Sequence, residues 1–332
     1  MPTSPHIAPS RRDLLKRSAV AAAALTASAS CARTGHAQSA GAAAAAAPQQ
    51  SPSKGAFSMC LNTSTIRGQK LTLPQEVDLA AKAGFTAMEP WIGEINDYTK
   101  AGGDLKDLKK RFADSGIAVV DVIGFAPWLM GDAEVHKKGL EAMRRDMDLV
   151  AAIGGLRIAA PPMGATQLSN FDLNMAAERY RAILELGEQT GVTPMLEVWG
   201  HSKTLGTLAE GAYVAAAAKH PKACLLTDVY HLYKGNSGYE GLRLIDGAAM
   251  PVMHFNDYPA EPTRDKIKDE HRLYPGDGIA PIATILQTLK ASGAQTALSL
   301  ELFNKDLWKL DAAEVLKTGI EKMRAAVEKA GV

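Results

Sequence analysis

Three cysteines in 332 residues are too few for a disulfide framework. Aromatic residues make up only 6% of the chain, yet 46% is apolar, so a sizeable core must be built mainly from aliphatic side chains. Neither sign of charge prevails: 37 Lys and Arg face 36 Asp and Glu, for a formal charge of +1. That balance lacks the basic bias of a nucleic-acid-binding protein and the charge excess of a disordered one. Beyond the N-terminal region no apolar run approaches the roughly 20 residues that span a bilayer, so stable membrane insertion is not expected. A glycine-rich phosphate turn is also missing after the first strand-like run, where Asn62-Thr63-Ser64-Thr65 stands instead.

The first fifty residues have a different character. Ser10-Arg11-Arg12-Asp13-Leu14-Leu15-Lys16 resembles a twin-arginine export motif and precedes the Ala-rich stretch from Ser18 to Ala29. Gly35-His36-Ala37 offers small residues for a signal peptidase, so residues 1–37 read as a signal peptide with cleavage before Gln38. Cys31 is an alternative lipidation site, although no Leu, Val or Ile stands three residues before it. Loss of residues 1–37 removes a net four positive charges and takes the formal charge from +1 to −3. A mildly acidic, exported product argues against nucleic acid as a partner. It makes the twin-arginine machinery a transport partner and the periplasm the expected location. Residues 38–54 read as a low-complexity Ala/Pro/Ser-rich linker.

From residue 55 to 332 short apolar runs alternate with helix-period segments, the pattern of parallel strands with crossover helices. The predicted strands are 56–61, 87–89, 117–123, 156–159, 193–198, 223–227, 252–255 and 297–302. Predicted helices include 74–83, 133–153, 175–189, 205–219, 279–291 and 312–330. Gly84, Gly116, Gly154, Gly191 and Gly293 stand where helices should stop. Eight such units in a stretch of this length predict a single (β/α)8 TIM barrel, with an open doubly wound sheet as the competing α/β architecture. Cys60 and Cys224 fall in apolar strands and read as buried thiols.

A barrel does its chemistry where the strands end. The last four strands each end in one ionisable residue: Glu197, Asp228, His254 and Glu301. Adjacent strands are about 4.8 Å apart, so these groups converge, and three carboxylates at that spacing need a positive charge among them. Three carboxylates and one imidazole form an oxygen-rich site for one divalent metal ion: Mn2+, Mg2+ or Co2+, with Zn2+ also admitted. The bland alternative is four ordinary strand-end polar residues paired with Lys or Arg.

Those strand ends, with Asp228-x-x-His231, His254-x-x-Asp257 and the loop from Arg272 to Ile279, resemble the sugar (phosphate) isomerase/epimerase family of the xylose-isomerase-like barrel superfamily. The resemblance runs from Phe57 to Gly331. It implies that Glu197, Asp228, His254 and Glu301 bind metal, that Glu197 and Glu301 act as acid and base, and that His231 and Arg272 contact substrate. Glu89, at the end of strand two, and Asp257 match polar positions near the family's site. Trp91, Phe125, Trp128, Trp199 and Tyr258 follow strand ends and suggest a sugar-sized pocket, with His201 a further contact. Ketose 3-epimerases usually carry a second glutamate shortly after the strand-five ligand, whereas this chain has Lys203 near that place.

The expected function is therefore a metal-dependent isomerase or epimerase that works through a cis-enediolate on an unphosphorylated sugar, keto-sugar or polyol. A lyase or hydratase on 3-keto-glycosides or inososes is the enzymatic alternative, and an exported sugar-binding protein without catalysis is the rival from another class. The related three-zinc DNA endonucleases would need more histidine ligands than these strand ends supply. A homo-oligomer is implied by the resemblance alone.

Overall fold

The structure is a computed structural model that describes residues 56–332. The segments read above as a signal peptide and a linker, and Cys31 with them, lie outside the described residues.

Eight parallel strands follow one another in the order of a TIM barrel: β1 (Phe57–Asn62), β2 (Ala87–Glu89), β3 (Ala118–Val119), β4 (Arg157–Ala160), β5 (Thr193–Glu197), β6 (Leu225–Asp228), β7 (Val252–His254) and β8 (Thr296–Leu300). β1 pairs with both β2 and β8, and the remaining ladders run from β8 through β7, β6 and β5 to β4. Three backbone bonds complete the circle between the β3 and β4 segments. Leu156 donates to Val119 at 3.3 Å, Val122 to Arg157 at 3.2 Å and Ala159 to Val122 at 2.9 Å.

The outer layer contains α1 (Leu73–Ala83), α2 (Ile92–Lys100), α3 (Leu105–Asp114), α4 (Ala133–Ala152), α5 (Leu173–Thr190), α6 (Leu208–Ala217), α7 (Val229–Lys234), α8 (Ile282–Ala291) and α9 (Ala312–Ala330). Asp104, Asp132, Asp172 and Asp311 accept backbone N–H bonds at the starts of α3, α4, α5 and α9, which satisfies donors the helices cannot. Gly84, Gly116, Gly154, Gly191 and Gly293 all take left-handed φ angles, between 67° and 95°, as expected for helix stops. No helix among the described residues is long and apolar enough to cross a membrane.

Several boundaries differ from the sequence reading. The third strand was expected over 117–123, but only Ala118–Val119 is regular, and Asp121 to Ile123 bend toward β4 and the loop after β2. The helix expected from 205 begins at Leu208, because Thr207 and Glu210 form a capping box and Leu205 has a φ of 55°. The helix expected from 279 begins at Ile282, after Pro281. Ile279 instead donates its N–H to the Tyr258 carbonyl.

Two apolar clusters divide the interior. The larger joins strands to helices. The smaller fills the barrel with compact residues, among them Cys60, Ala87, Ala159, Cys224, Val252 and Ala297. Both cysteines are free and buried. Small side chains inside the barrel leave room near the strand ends for polar groups.

Candidate metal centre and pocket

Every strand-end acid named above sits on the same rim of the barrel. In the ladder between β6 and β7 Asp228 is paired with His254, and in that between β1 and β2 Asn62 is paired with Glu89. The pairing of β7 with β8 aligns His254 with Ser299, two residues before Glu301. All of these side chains are buried, so each needs a partner.

Asp228, His254 and Glu301 place one ligand atom each within 4.8 Å of the others. His254 Nδ1 is 2.9 Å from Glu301 Oε2 and 3.4 Å from Asp228 Oδ2, without the alignment of a hydrogen bond. Donors about 3 Å apart are what a common cation roughly 2.1 Å from each would hold together. The oxygen-rich donor set therefore fits a divalent metal. The opposite ring atom, His254 Nε2, lies 3.3 Å from Glu89 Oε2, an arrangement that turns Nδ1 toward the two carboxylates.

Glu197 is outside that group of three but lines the same cavity, and its buried Oε2 has no hydrogen-bond partner. Burial pushes its pKa up to about 8, aided by the charges of Glu301 and Asp228 and opposed by His254. Burial acts against a charged His254, yet the Glu301 and Glu89 carboxylates outweigh it and raise the imidazole well above its ordinary range. Arg272 Nη1 reaches Glu301 Oε2 at 2.7 Å and Asp228 Oδ2 at 2.9 Å, and its Nη2 reaches Asp269 at 2.5 Å. Asp228 is thereby held well below the usual carboxylate range despite its burial. His231 is kept neutral, its pKa lowered to about 3 mainly by burial and partly by Arg272, although Asp228 pulls the other way.

Above these groups lies an open cavity of about 250 Å³. Trp91, Ile123, Phe125, Trp199 and Phe303 form its apolar walls; Glu197, His201, His231, Asp269, Arg272 and Glu301 supply its polar side. The aromatic rings form an arc: Phe303 lies 6.0 Å from Trp91, Trp91 4.9 Å from Phe125, and Phe125 6.5 Å from Trp199, which stacks on His201 at 5.5 Å.

Not every residue singled out from the sequence reaches this cavity. Glu89 lies beneath it, bonded to Asn62 Nδ2 at 3.2 Å and to Ser299, and acts on His254 rather than on a ligand in the cavity. Asp257 accepts from the backbone N–H groups of Tyr258, Gly276, Gly278 and Ala280, so both its oxygens are spent holding a loop. Trp128 is fully buried against Tyr180 and donates to the Pro161 carbonyl. Tyr258 stacks on Tyr233, and Lys203 does not line the cavity.

Sequence reasoning missed Asn62, Asp121, Asp269 and Phe303. Asn62 Nδ2 donates to both Glu89 and Glu301, and its Oδ1 accepts from Trp91 Nε1 at 2.9 Å. It is the last residue of β1, one beyond the predicted strand end, so the strand-end rule with a better boundary would have found it. Asp121 is fully buried with neither oxygen hydrogen-bonded; burial and the neighbouring Glu89 raise its pKa well above the ordinary value. A lone acid inside an apolar run was the available signal. Asp269 opens a short 3-10 turn and Phe303 lies in a loop, and no local pattern encodes the course of either segment.

Residues 77–326 match the family model described as xylose isomerase-like TIM barrel. An inosose isomerase from Bacillus velezensis is 25% identical over 275 residues, which cover 82% of this chain and 97% of that protein. A 3-dehydroshikimate dehydratase from Pseudomonas putida is 26% identical over 240 residues, or 70% of this chain and 36% of the dehydratase. Among solved structures, the IOLI protein with a binding zinc atom aligns with a TM-score of 0.76 at 22% identity, covering 82% of this chain and 99% of that one. At that identity the likeness speaks for the fold.

Proposed function

Because the chain belongs to the xylose isomerase-like TIM barrel family, we propose that it is a divalent-metal-dependent isomerase or epimerase of an unphosphorylated sugar or keto-sugar. The convergence of Asp228, His254 and Glu301 beside Glu197, whose buried Oε2 has no partner, carries this reading. Asp228, His254 and Glu301 would hold the ion, with Glu197 as a fourth oxygen donor. Once bound, a divalent cation polarises a carbonyl group and stabilises negative charge on its oxygen. The IOLI protein, a structural neighbour, carries a zinc atom, while the oxygen-rich donor set here also suits manganese, magnesium or cobalt.

The chain's own groups do the proton work. Glu197, which lines the cavity with its Oε2 unpartnered, is the group placed to take a proton from the carbon beside a ketone and return it. Glu301, on the neighbouring side of His254 and anchored by Asn62 and Arg272, offers the second carboxylate. Return of the proton to the opposite face inverts the carbon. Return at the adjacent carbon moves the carbonyl. Neutral His231 and charged Arg272 line the cavity and would meet substrate oxygens, alongside the aromatic walls.

A second reading, elimination rather than isomerisation, is supported by the dehydratase relative. It begins with the same proton removal and ends with loss of a β-hydroxyl. We further propose export by the twin-arginine route to the periplasm, checked by N-terminal sequencing of protein recovered from a periplasmic fraction. An unprocessed cytoplasmic chain would overturn it.

The experiment that tests the activity is proton exchange in D2O, followed by NMR, with metal-loaded protein and a panel of ketoses, inososes and 3-keto-glycosides. Metal-dependent deuterium uptake beside the carbonyl, lost in Glu197→Gln and Glu301→Gln, is expected, and the product distinguishes isomerase, epimerase and lyase. Bound metal with no exchange on any ketone would favour a sugar-binding protein.

A further inference from the structure

No glycine-rich turn follows β1; the segment Asn62-Thr63-Ser64-Thr65 stands there instead, and all four residues are wholly buried. Asn62 ends β1 opposite Glu89 in the ladder with β2, and the next three open a 3-10 turn, Thr63–Gln69. None of the four lines the cavity, so what they contribute to it passes through their neighbours.

The Asn62 carboxamide has a partner for every bond it can make. Its Oδ1 accepts from the Ser64 N–H at 3.0 Å and from Trp91 Nε1 at 2.9 Å. Its Nδ2 donates to Glu89 Oε2 at 3.2 Å and to Glu301 Oε1 at 3.1 Å. The oxygen and nitrogen of an amide are told apart by such partners, and here all of them agree. Turned over, the group would set its NH2 against two N–H donors and its oxygen against two carboxylates. The turn and the indole thus aim both amide donors at the two acids. Glu89 orients His254 and Glu301 belongs to the converging group, so one amide bears on two of its three members.

Thr65 acts on the main chain of the same acid. Its hydroxyl donates to the Leu300 carbonyl at 2.7 Å and accepts from the Leu302 N–H at 3.0 Å, the residues on either side of Glu301. Glu301 is therefore gripped twice, at its backbone by Thr65 and at Oε1 by Asn62. Its Oε2 stays beside His254 Nδ1 at 2.9 Å and Arg272 Nη1 at 2.7 Å. A carboxylate held at Oε1 does not swing about its last torsion, which leaves Oε2 toward the ion. Without that grip the rotation is free, and metal binding has to freeze it.

We propose that Asn62 is a positioning residue of the metal centre, and that Trp91, a wall of the cavity, acts on metal affinity through it. This rests on the metal-dependent reading above and extends it to a residue outside the ligand set.

The test is the Zn2+ affinity of the full-length protein, read by competition with a chromophoric chelator. Wild type, Asn62→Ala, Trp91→Phe and the double variant are compared, with circular dichroism as the check on folding. Asn62→Ala should bind Zn2+ about ten- to hundredfold more weakly. Trp91→Phe should lose roughly fivefold, the net worth of one hydrogen bond. Among the described residues the indole has no hydrogen bond to Asp228, His254 or Glu301, so that loss has to travel through Asn62. Added to Asn62→Ala, Trp91→Phe should therefore weaken binding no further. Losses that simply add would mean that the two side chains support the site independently, and would overturn the proposal. So would an unchanged affinity in Asn62→Ala. If Asn62→Ala does not fold, Trp91→Phe decides alone, and an unchanged affinity there has the same force. A wild type that binds no Zn2+ sinks the metal reading itself, whereas binding that ignores both substitutions sinks only the role of Asn62.

Discussion

Glu89 Oε2 lies 3.3 Å from His254 Nε2, and both side chains are wholly buried. The carboxylate fixes which edge of the imidazole faces Asp228 and Glu301, and that edge is the one a metal needs.

Glu89→Gln should therefore weaken divalent-metal binding by about tenfold to a hundredfold while leaving the fold intact. Chelator competition with Mn2+ or Zn2+, alongside circular dichroism, reads both quantities. Unchanged affinity would mean that Glu89 only fills space beneath the site.

Metal uptake should release protons and tighten as pH rises. His254 is raised well above its ordinary range by Glu301 and Glu89 against the cost of burial, and Glu197 is raised to about 8 by burial. A ligand must be deprotonated to bind metal, so acid competes with the ion at both residues. Affinity measured from pH 6 to 9 should increase throughout, with proton release visible in buffers of different ionisation enthalpy. A pH-independent affinity would contradict this.

Glu76 gives a stability prediction distant from the metal ligands. Its pKa in the folded state is raised to about 9 from about 4.5, chiefly by burial, so folding favours the protonated form. Above about pH 4.5 the unfolded chain ionises this group and the folded chain does not, so stability falls as pH rises toward 9. Glu76→Gln, which mimics the neutral form, should be close to neutral at pH 4.5 and stabilising at pH 8. At this chain length, each kcal/mol gained corresponds to about 2–4 °C in Tm. Thermal melts of both proteins at the two pH values test it. An equal Tm difference at both would show that ionisation is not the cause.

Asp257→Ala should destabilise the protein by about 2–5 kcal/mol, because four backbone N–H groups lose their acceptor at once. Gly278 approaches the Tyr258 carbonyl so closely that any Cβ would collide with it, so the loop has little freedom to re-form its bonds another way. Urea unfolding measures the loss. If stability held while substrate affinity fell, Asp257 would be a binding residue after all.

Much of the barrel was legible in the chain because its signals are local. Eight apolar runs of strand length alternate with helix-period segments, five of the helices have a glycine stop, and the ends of β2, β5, β6 and β7 fell within a residue or two of their predicted positions. Strand ends face one rim in any parallel barrel, so Glu197, Asp228, His254 and Glu301 could be nominated from position alone. Periodicity was a poorer guide where the backbone leaves regular geometry, as it does beyond Val119 and between Asp257 and Pro281.

What only the tertiary structure decided is which side chain meets which. Asp257 and Asp269 both lie outside the barrel strands and α-helices, yet one binds four backbone amides and the other binds Arg272 beside the cavity. Trp91 and Trp128 both follow strand ends, but only Trp91 turns a face to the pocket, since Trp128 finds a buried carbonyl at Pro161. Arg67 and Trp91 are separated by a whole helix and meet only after β1 and β2 pair. Local sequence sets which backbone form a segment prefers; partners far apart in the chain are chosen by the closure of the barrel, where burial penalises every polar group left without one.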